Sequence, residues 1–347
     1  MVSLKTPNTV ALLGDPGSGL SKKDRIVAIM SRIKPALLRL SVAGLISIAP
    51  LALSSSAPTE HGPAAAARVQ WMGNIQMTRL NESSGLASSQ QSSQILWSIN
   101  DSGSGPEIFA LTPQGQHLGS WLIDMPKPMD WEAMASFQWQ DKGYLLVADI
   151  GDNFATRSSV SYSVIPEPDL AQIGTQERLS PLFTQHFTYP EGPRDAEAVA
   201  VDMKRRELLI LSKRNQPPEL YRLPLSMAAA NADQAPRELT AQRLAALTGF
   251  TRPAANQADL YGRYWAYLGM PTGMTLSGDR LLVTTLEHAY VFSRQRLDQP
   301  GQRVDMPLAG QREAITFAKD SATVAYVSHE REDGMRQAAI YRLELPR

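Results

Sequence analysis

The chain has 347 residues, 43% of them hydrophobic and 20% charged, with 34 basic residues balancing 34 acidic ones. That composition is globular and excludes a disordered, collagen-like or coiled-coil chain, and it supplies no basic field for nucleic acid. Cysteine is absent, which excludes disulfides, thiolate metal sites, cysteine nucleophiles and a lipid-modified N-terminal cysteine.

In chain order, residues 10–26 resemble strand, glycine loop and helix, and Gly14 and Gly19 have phosphate-loop spacing. Leu20 stands where that loop needs its lysine, so no nucleotide site is expected. From Met30, basic residues Arg32, Lys34 and Arg39 lead into an apolar run, Leu40 to Leu53, and then small residues to Ala57. This is the order of a secretory signal, too short for a comfortable membrane span, with cleavage expected after Ala57. Residues 1–57 are therefore read as an upstream extension and signal peptide with Met30 as the true start, and 58–67 as a linker. Without residues 1–57 the chain carries 27 basic and 32 acidic residues. A periplasmic or secreted, mildly acidic monomer with no stable membrane span is expected.

The rest of the chain is periodic. Five segments share an order: a polar start with small residues, an apolar run ending in polar residues, then aromatic-x-apolar. They begin at ESSGLASS (82–89), WEAMASF (131–137), AEAVAVD (196–202), TGMTLSG (272–278) and REAITFA (312–318). The runs are short, rich in Val, Ile, Leu and aromatics, and bounded by turn residues, which are strand signals. A fourth strand follows in four units (117–123, 183–189, 238–244 and 303–308), whereas the fifth unit ends without one. The unattached strand at 68–75 fits that gap. These features predict an all-β, five-bladed propeller of four-stranded blades over 68–347, closed by its N-terminal strand. A sixth blade would require a degenerate repeat within 248–271.

With strands a to d running outward, the start of a and the end of b share a rim. Starts of a supply Glu82, Asp130, Glu132, Asp195, Glu197 and Glu313. Ends of b supply Asn100, Asp101, Asp149, Asp152, Asn153, Lys213, Arg214, Glu287, His288, His329 and Glu330. Crowded carboxylates raise one another's pKa unless compensated. Three arrangements relieve them: a hard cation such as Ca²⁺, ion pairing with Lys213 and Arg214, or hydrogen bonds that tie blades together. Glu82, Asn100, Asp101, Asp149, Asp152, Asn153 and Glu313 are the candidate metal ligands. Glu132, Glu197, Lys213 and Arg214 are the candidate catalytic groups. No GxSxG elbow or HExxH helix occurs, so the enzyme chemistry these residues allow is carboxylates acting on water, with or without Ca²⁺. The long 248–271 connection reaches the same rim. Its Tyr264 and Trp265, with His329 and Glu330, are candidates for a ligand rim that meets a small molecule or glycan, or they pack the loop onto its blades.

The phrases ESSGLA, LWSINDSG, DWEAMA, VADIGDN, PRDAEAVA and REAITF resemble a family of secreted bacterial β-propellers described as phytase-like or esterase-like. More distantly they resemble calcium-dependent propeller phytases and propeller lactonases. The resemblance spans nearly all of 80–345. It implies Ca²⁺ at the channel mouth, held among Glu82, Asn100, Asp101, Glu132, Asp149, Asp152, Glu197 and Glu313, and hydrolysis of a small phosphate ester, lactone or ester. The chain departs from those distant relatives in having five units rather than six, and in a fourth unit that starts Thr272-Gly273-Met274 with no acid. A non-catalytic propeller that binds a glycan or a protein partner is the alternative.

Overall fold

The computed structural model describes residues 65–101, 103–169, 171, 178–227, 238–253, 262–306, 312–330 and 338–346. The signal segment expected at 1–57 lies outside them. Numbering strands along the chain, blade 1 is β3 (Ser83–Ser88), β4 (Leu96–Asn100), β5 (Glu107–Leu111) and β6 (His117–Ile123). Blade 2 is β7 (Trp131–Trp139), β8 (Lys142–Asp149), β9 (Val160–Pro166) and β11 (Phe183–Thr188). Blade 3 is β12 (Ala196–Asp202), β13 (Glu207–Ser212), β14 (Glu219–Pro224) and β16 (Gln242–Ala246). Blade 4 is β17 (Pro271–Ser277), β18 (Arg280–Thr285), β19 (His288–Ser293) and β20 (Gln302–Asp305). Blade 5 is β21 (Arg312–Phe317), β22 (Val324–His329), β23 (Ala339–Glu344) and β2 (Arg68–Asn74).

The fifth blade takes its outer strand from the other end of the propeller, as the repeat predicts: β2 runs antiparallel to β23, with Arg68 opposite Glu344. The inner strands close the ring, β3 against β7, β7 against β12, β12 against β17, β17 against β21, and β21 against β3. Among the described residues no sixth sheet forms. The described part of the 248–271 connection holds a 3-10 helix, Gly262–Tyr267.

Three two-residue strands were not expected. β1 (Ala65–Ala66), β10 (Arg178–Leu179) and β15 (Leu239–Thr240) pair in parallel with β20, β6 and β11. Each lies just before the outer strand of one blade and staples to the outer strand of the blade before it. This splits the strand expected at 238–244, and it gives Ala65 and Ala66, expected in a linker, a place on blade 4. An open outer edge is an unsatisfied row of amides and carbonyls, and these staples cover part of it.

Alternation drives the packing, because each strand buries one face against each neighbouring blade. Five clusters fill the five seams. Trp97, Trp121 and Trp131 sit between blades 1 and 2, and Tyr162, Phe187 and Tyr221 between blades 2 and 3. Leu209, Val283 and Tyr290 join blades 3 and 4, Val304 and Val327 blades 4 and 5, and Phe109 and Ile340 blades 5 and 1. The Trp97 and Trp121 rings meet edge-on at 5.4 Å. Each such side chain contributes roughly 1.5–3 kcal/mol when fully buried.

Candidate site at the channel mouth

All five inner hairpins share one irregularity. The pairing of a with b skips one residue between Ser83 and Gly85, Trp131 and Ala133, Ala196 and Ala198, Pro271 and Gly273, and Arg312 and Ala314. The bulged residues are therefore Ser84, Glu132, Glu197, Thr272 and Glu313, one per blade. A bulge leaves its extra residue outside the ladder and re-aims it, which is why bulges recur beside sites. Four of the five are buried, and Glu313 is half-buried.

The next residue is always Gly or Ala, because adjacent inner strands crowd there. A Cβ on Gly85 would lie 3.0 Å from the Met134 backbone nitrogen, and one on Gly273 would lie 3.2 Å from that of Ile315. One residue further on, Leu86, Met134, Val199, Met274 and Ile315 form a buried apolar collar below the mouth.

The residue that ends b, opposite the bulge, is polar in every blade: Asn100, Asp149, Ser212, Thr285 and His329. These side chains hold their own loops. Asn100 accepts from Glu82 N at 3.2 Å and donates to the Arg79 carbonyl at 2.6 Å. Asp149 accepts from Met129 N and Asp130 N at 2.9 and 3.0 Å and pairs with Arg157 at 2.8 Å. Ser212 Oγ accepts from Glu219 N, and Thr285 Oγ1 accepts from His288 N. His329 Nδ1 lies 2.8 Å from the Glu330 carbonyl, and its ring lies over Tyr341. Of the expected ligands, Asn100 and Asp149 are thus engaged as loop clamps.

Asp152 and Asn153 are engaged similarly. Asp152 accepts from Thr156 N and Arg157 N at 2.9 and 2.8 Å, winding the loop about its carboxylate. Its own amide donates to Asp195 Oδ1 at 2.9 Å, tying blade 2 to blade 3. The Arg214 guanidinium binds Asp195 Oδ2 at 2.6 Å, donates to Asn153 Oδ1, and stacks over Tyr267 at 5.5 Å. Burial lowers the Arg214 pKa, but Asp195 and Tyr267 overcome this and hold it above its ordinary value. Lys213 Nζ lies 2.6 Å from Glu197 Oε1.

A different subset gathers. Carboxylate oxygens of Asp101, Asp130 and Glu132 all lie within 4.8 Å of one another. Asp101 ends blade 1 and the other two begin blade 2, so the group spans a seam. It is 8%, 9% and 2% exposed respectively, deep enough for charge to matter. Two backbone bonds place it, from Asp101 N to the Glu82 carbonyl at 3.0 Å and from Gly151 N to the Asp130 carbonyl at 3.2 Å. Gly151 leaves the group its room: a Cβ there would lie 2.3 Å from Asp130 Oδ2 and 2.5 Å from Glu132 Oε1. An all-oxygen donor set of three carboxylates fits a hard cation and excludes a thiolate or imidazole site.

Glu82 is half-buried and enters the clamp through its backbone. Glu330 is half-buried beside His329. Trp265 is half-buried in the 3-10 helix, while the Tyr264 side chain lies outside the described residues. That helix borders a cavity of about 260 Å³ with Lys213, Pro217, Phe250 and Met270 among its lining residues.

No family model matches the chain, and none of the curated proteins does. Solved structures similar to it include the luciferin-regenerating enzyme, with a TM-score of 0.42 and 10% identity over 80% of this chain and 95% of that one. A nidogen/laminin complex follows at 0.39, with 15% identity over 74% of each chain. U3-55K stands at 0.35, with 11% identity over 75% of this chain and 80% of that one. It is the strand pairing itself that makes this chain a five-bladed propeller.

Proposed function

We propose that this protein is an exported hydrolase of a small phosphate ester, lactone or ester, and that its mouth binds Ca²⁺. The observation that carries this reading is the grouping of Asp101, Asp130 and Glu132 within 4.8 Å. Three like charges largely removed from water raise each other's energy, and a divalent cation offsets that repulsion. Acting as a Lewis acid, such a cation polarises a phosphoryl or carbonyl oxygen. The resemblance of ESSGLA, DWEAMA and VADIGDN to the secreted phytase-like and esterase-like propellers supports the same class, and the signal-like segment at 30–57 supports export to the periplasm or medium.

The chain's own residues divide the work. Asp101, Asp130 and Glu132 hold the cation. Glu197 is fixed by Lys213 at 2.6 Å. It accepts the proton of the attacking water and returns it to the departing alkoxide oxygen. Arg214, partly exposed while bound to Asp195, orients the substrate's anionic oxygens. Asn100, Asp149, Asp152 and Asn153 fix the loops that carry these groups. The apolar collar of Leu86, Met134, Val199, Met274 and Ile315 keeps bulk water from reaching the mouth through the channel.

Thermal unfolding of the EGTA-stripped protein with and without excess Ca²⁺ tests the reading. At ~100 times its dissociation constant, a ligand of the folded state alone adds ~2.7 kcal/mol. A rise in midpoint with Ca²⁺, absent in Glu132→Gln, is expected, together with EGTA-sensitive turnover of phosphate ester or lactone substrates. An unmoved midpoint would overturn it and turn attention to a non-catalytic binding role.

A further inference from the structure

Among the described residues, the exposed large apolar side chains are Trp71, Leu122, Met129 and Phe154. Two of these lie on loops beside the carboxylate group, and one of them adjoins it in the chain. Met129 precedes Asp130, and Phe154 follows Asp152-Asn153. They are 67% and 73% exposed, the highest values of the four.

Their backbones are held firmly. Met129 N donates to Asp149 Oδ2 at 2.9 Å. The Phe154 loop is wound around Asp152, which accepts from Ala155 N, Thr156 N and Arg157 N. Ala155 takes a φ of 49°, a left-handed conformation that such a loop must enforce. The bond from Gly151 N to the Asp130 carbonyl joins the two loops. Thus the clamp residues Asp149 and Asp152 hold up two apolar side chains that contribute almost nothing to the core. Fixed, exposed apolar groups beside a charged site form a pre-organised contact surface.

We propose that the ligand of the mouth is an amphiphilic anion: its charged head lies at the Asp101–Asp130–Glu132 cation, and its alkyl or aryl portion covers Met129 and Phe154. This rests on the cation reading above and narrows it. The substrates are phosphate monoesters of apolar alcohols, or esters and lactones that carry an anionic group beside their apolar portion. A multiply phosphorylated polyol, charged around its whole ring, would leave both side chains uncovered.

Calorimetric titration of the Ca²⁺-loaded full chain with octyl phosphate and with methyl phosphate tests the proposal. Each methylene taken out of water tightens binding about fourfold, so two covered methylenes give about sixteenfold. Octyl phosphate is expected to bind at least about tenfold more tightly than methyl phosphate. The double variant Met129→Ser, Phe154→Ser is expected to erase that advantage while keeping the Ca²⁺-induced rise in unfolding midpoint. Equal affinities in the wild type, no binding of either phosphate, or an advantage that survives the double variant would each overturn the proposal. Loss of the Ca²⁺ response alone would overturn the cation reading; an octyl preference removed by the double variant would still support the apolar rim.

Discussion

Lys213 and Glu197 form a 2.6 Å ion pair between the end of β13 and the bulge of β12, with side chains only 15% and 4% exposed. The pair places a positive charge one residue from Arg214, whose guanidinium bridges Asp195 and Asn153. Blade 3 therefore neutralises its carboxylates with its own cations.

Removing the Lys213 ammonium strands a buried carboxylate. Lys213→Met is expected to cost about 3–5 kcal/mol in denaturant unfolding, the usual consequence of breaking a buried pair from one side. Adding Glu197→Gln to that background should recover much of the loss, since no uncompensated charge remains. A double variant as unstable as the single one would mean that Glu197 matters through other contacts.

Gly151→Ala separates geometry from charge. The added methyl first meets the Asp130 and Glu132 side chains, so it should spread the carboxylate group without altering its charge. The expected outcome is loss of the Ca²⁺-induced rise in unfolding midpoint, with the midpoint in EGTA changed by no more than a few degrees, about 1 kcal/mol or less for a chain of this size. An undiminished Ca²⁺ response would place the cation elsewhere.

Two histidines set a pH dependence outside the site. Burial lowers the pKa of His288, with Arg303 adding to the effect, and burial likewise lowers that of His117. Each folded value lies below the unfolded value of 6.5, so the unfolded chain binds more protons between the two. Their contribution to stability is complete above the unfolded value and declines as pH falls through it toward the lowered native values. Unfolding midpoints measured from pH 8 to 5.5 should fall over the lower part of this range, about the unperturbed histidine value. The slope should flatten in a His117→Gln, His288→Gln variant.

The blade count, the inner strands and the closing strand were legible because five copies of one pattern reinforce each other where a single copy would be ambiguous. The site was legible only as a rim. A polar residue at a strand end reads the same whether it clamps its own loop, as Asn100 and Asp149 do, or faces a ligand. What separates the two is the bulge, and a bulge adds no residue type of its own. Its trace was present nonetheless, in the recurring order Ser84-Gly85, Glu132-Ala133, Glu197-Ala198, Thr272-Gly273 and Glu313-Ala314. A small residue at that point records crowding by the next blade, a distance that no local pattern states. Asp130, whose counterpart in the acid-free fourth unit is Met270, joined the group through the Gly151 turn, which again is a contact between loops.

The closing strand also constrains how the molecule comes into being. Arg68 pairs with Glu344, so the last blade cannot assemble until almost the whole chain has emerged from the ribosome. Until then β2 has no partner and the ring has a seam that cannot seal. Such distant pairing folds slowly, and the nascent propeller must be shielded from its neighbours for as long as that seam stays open.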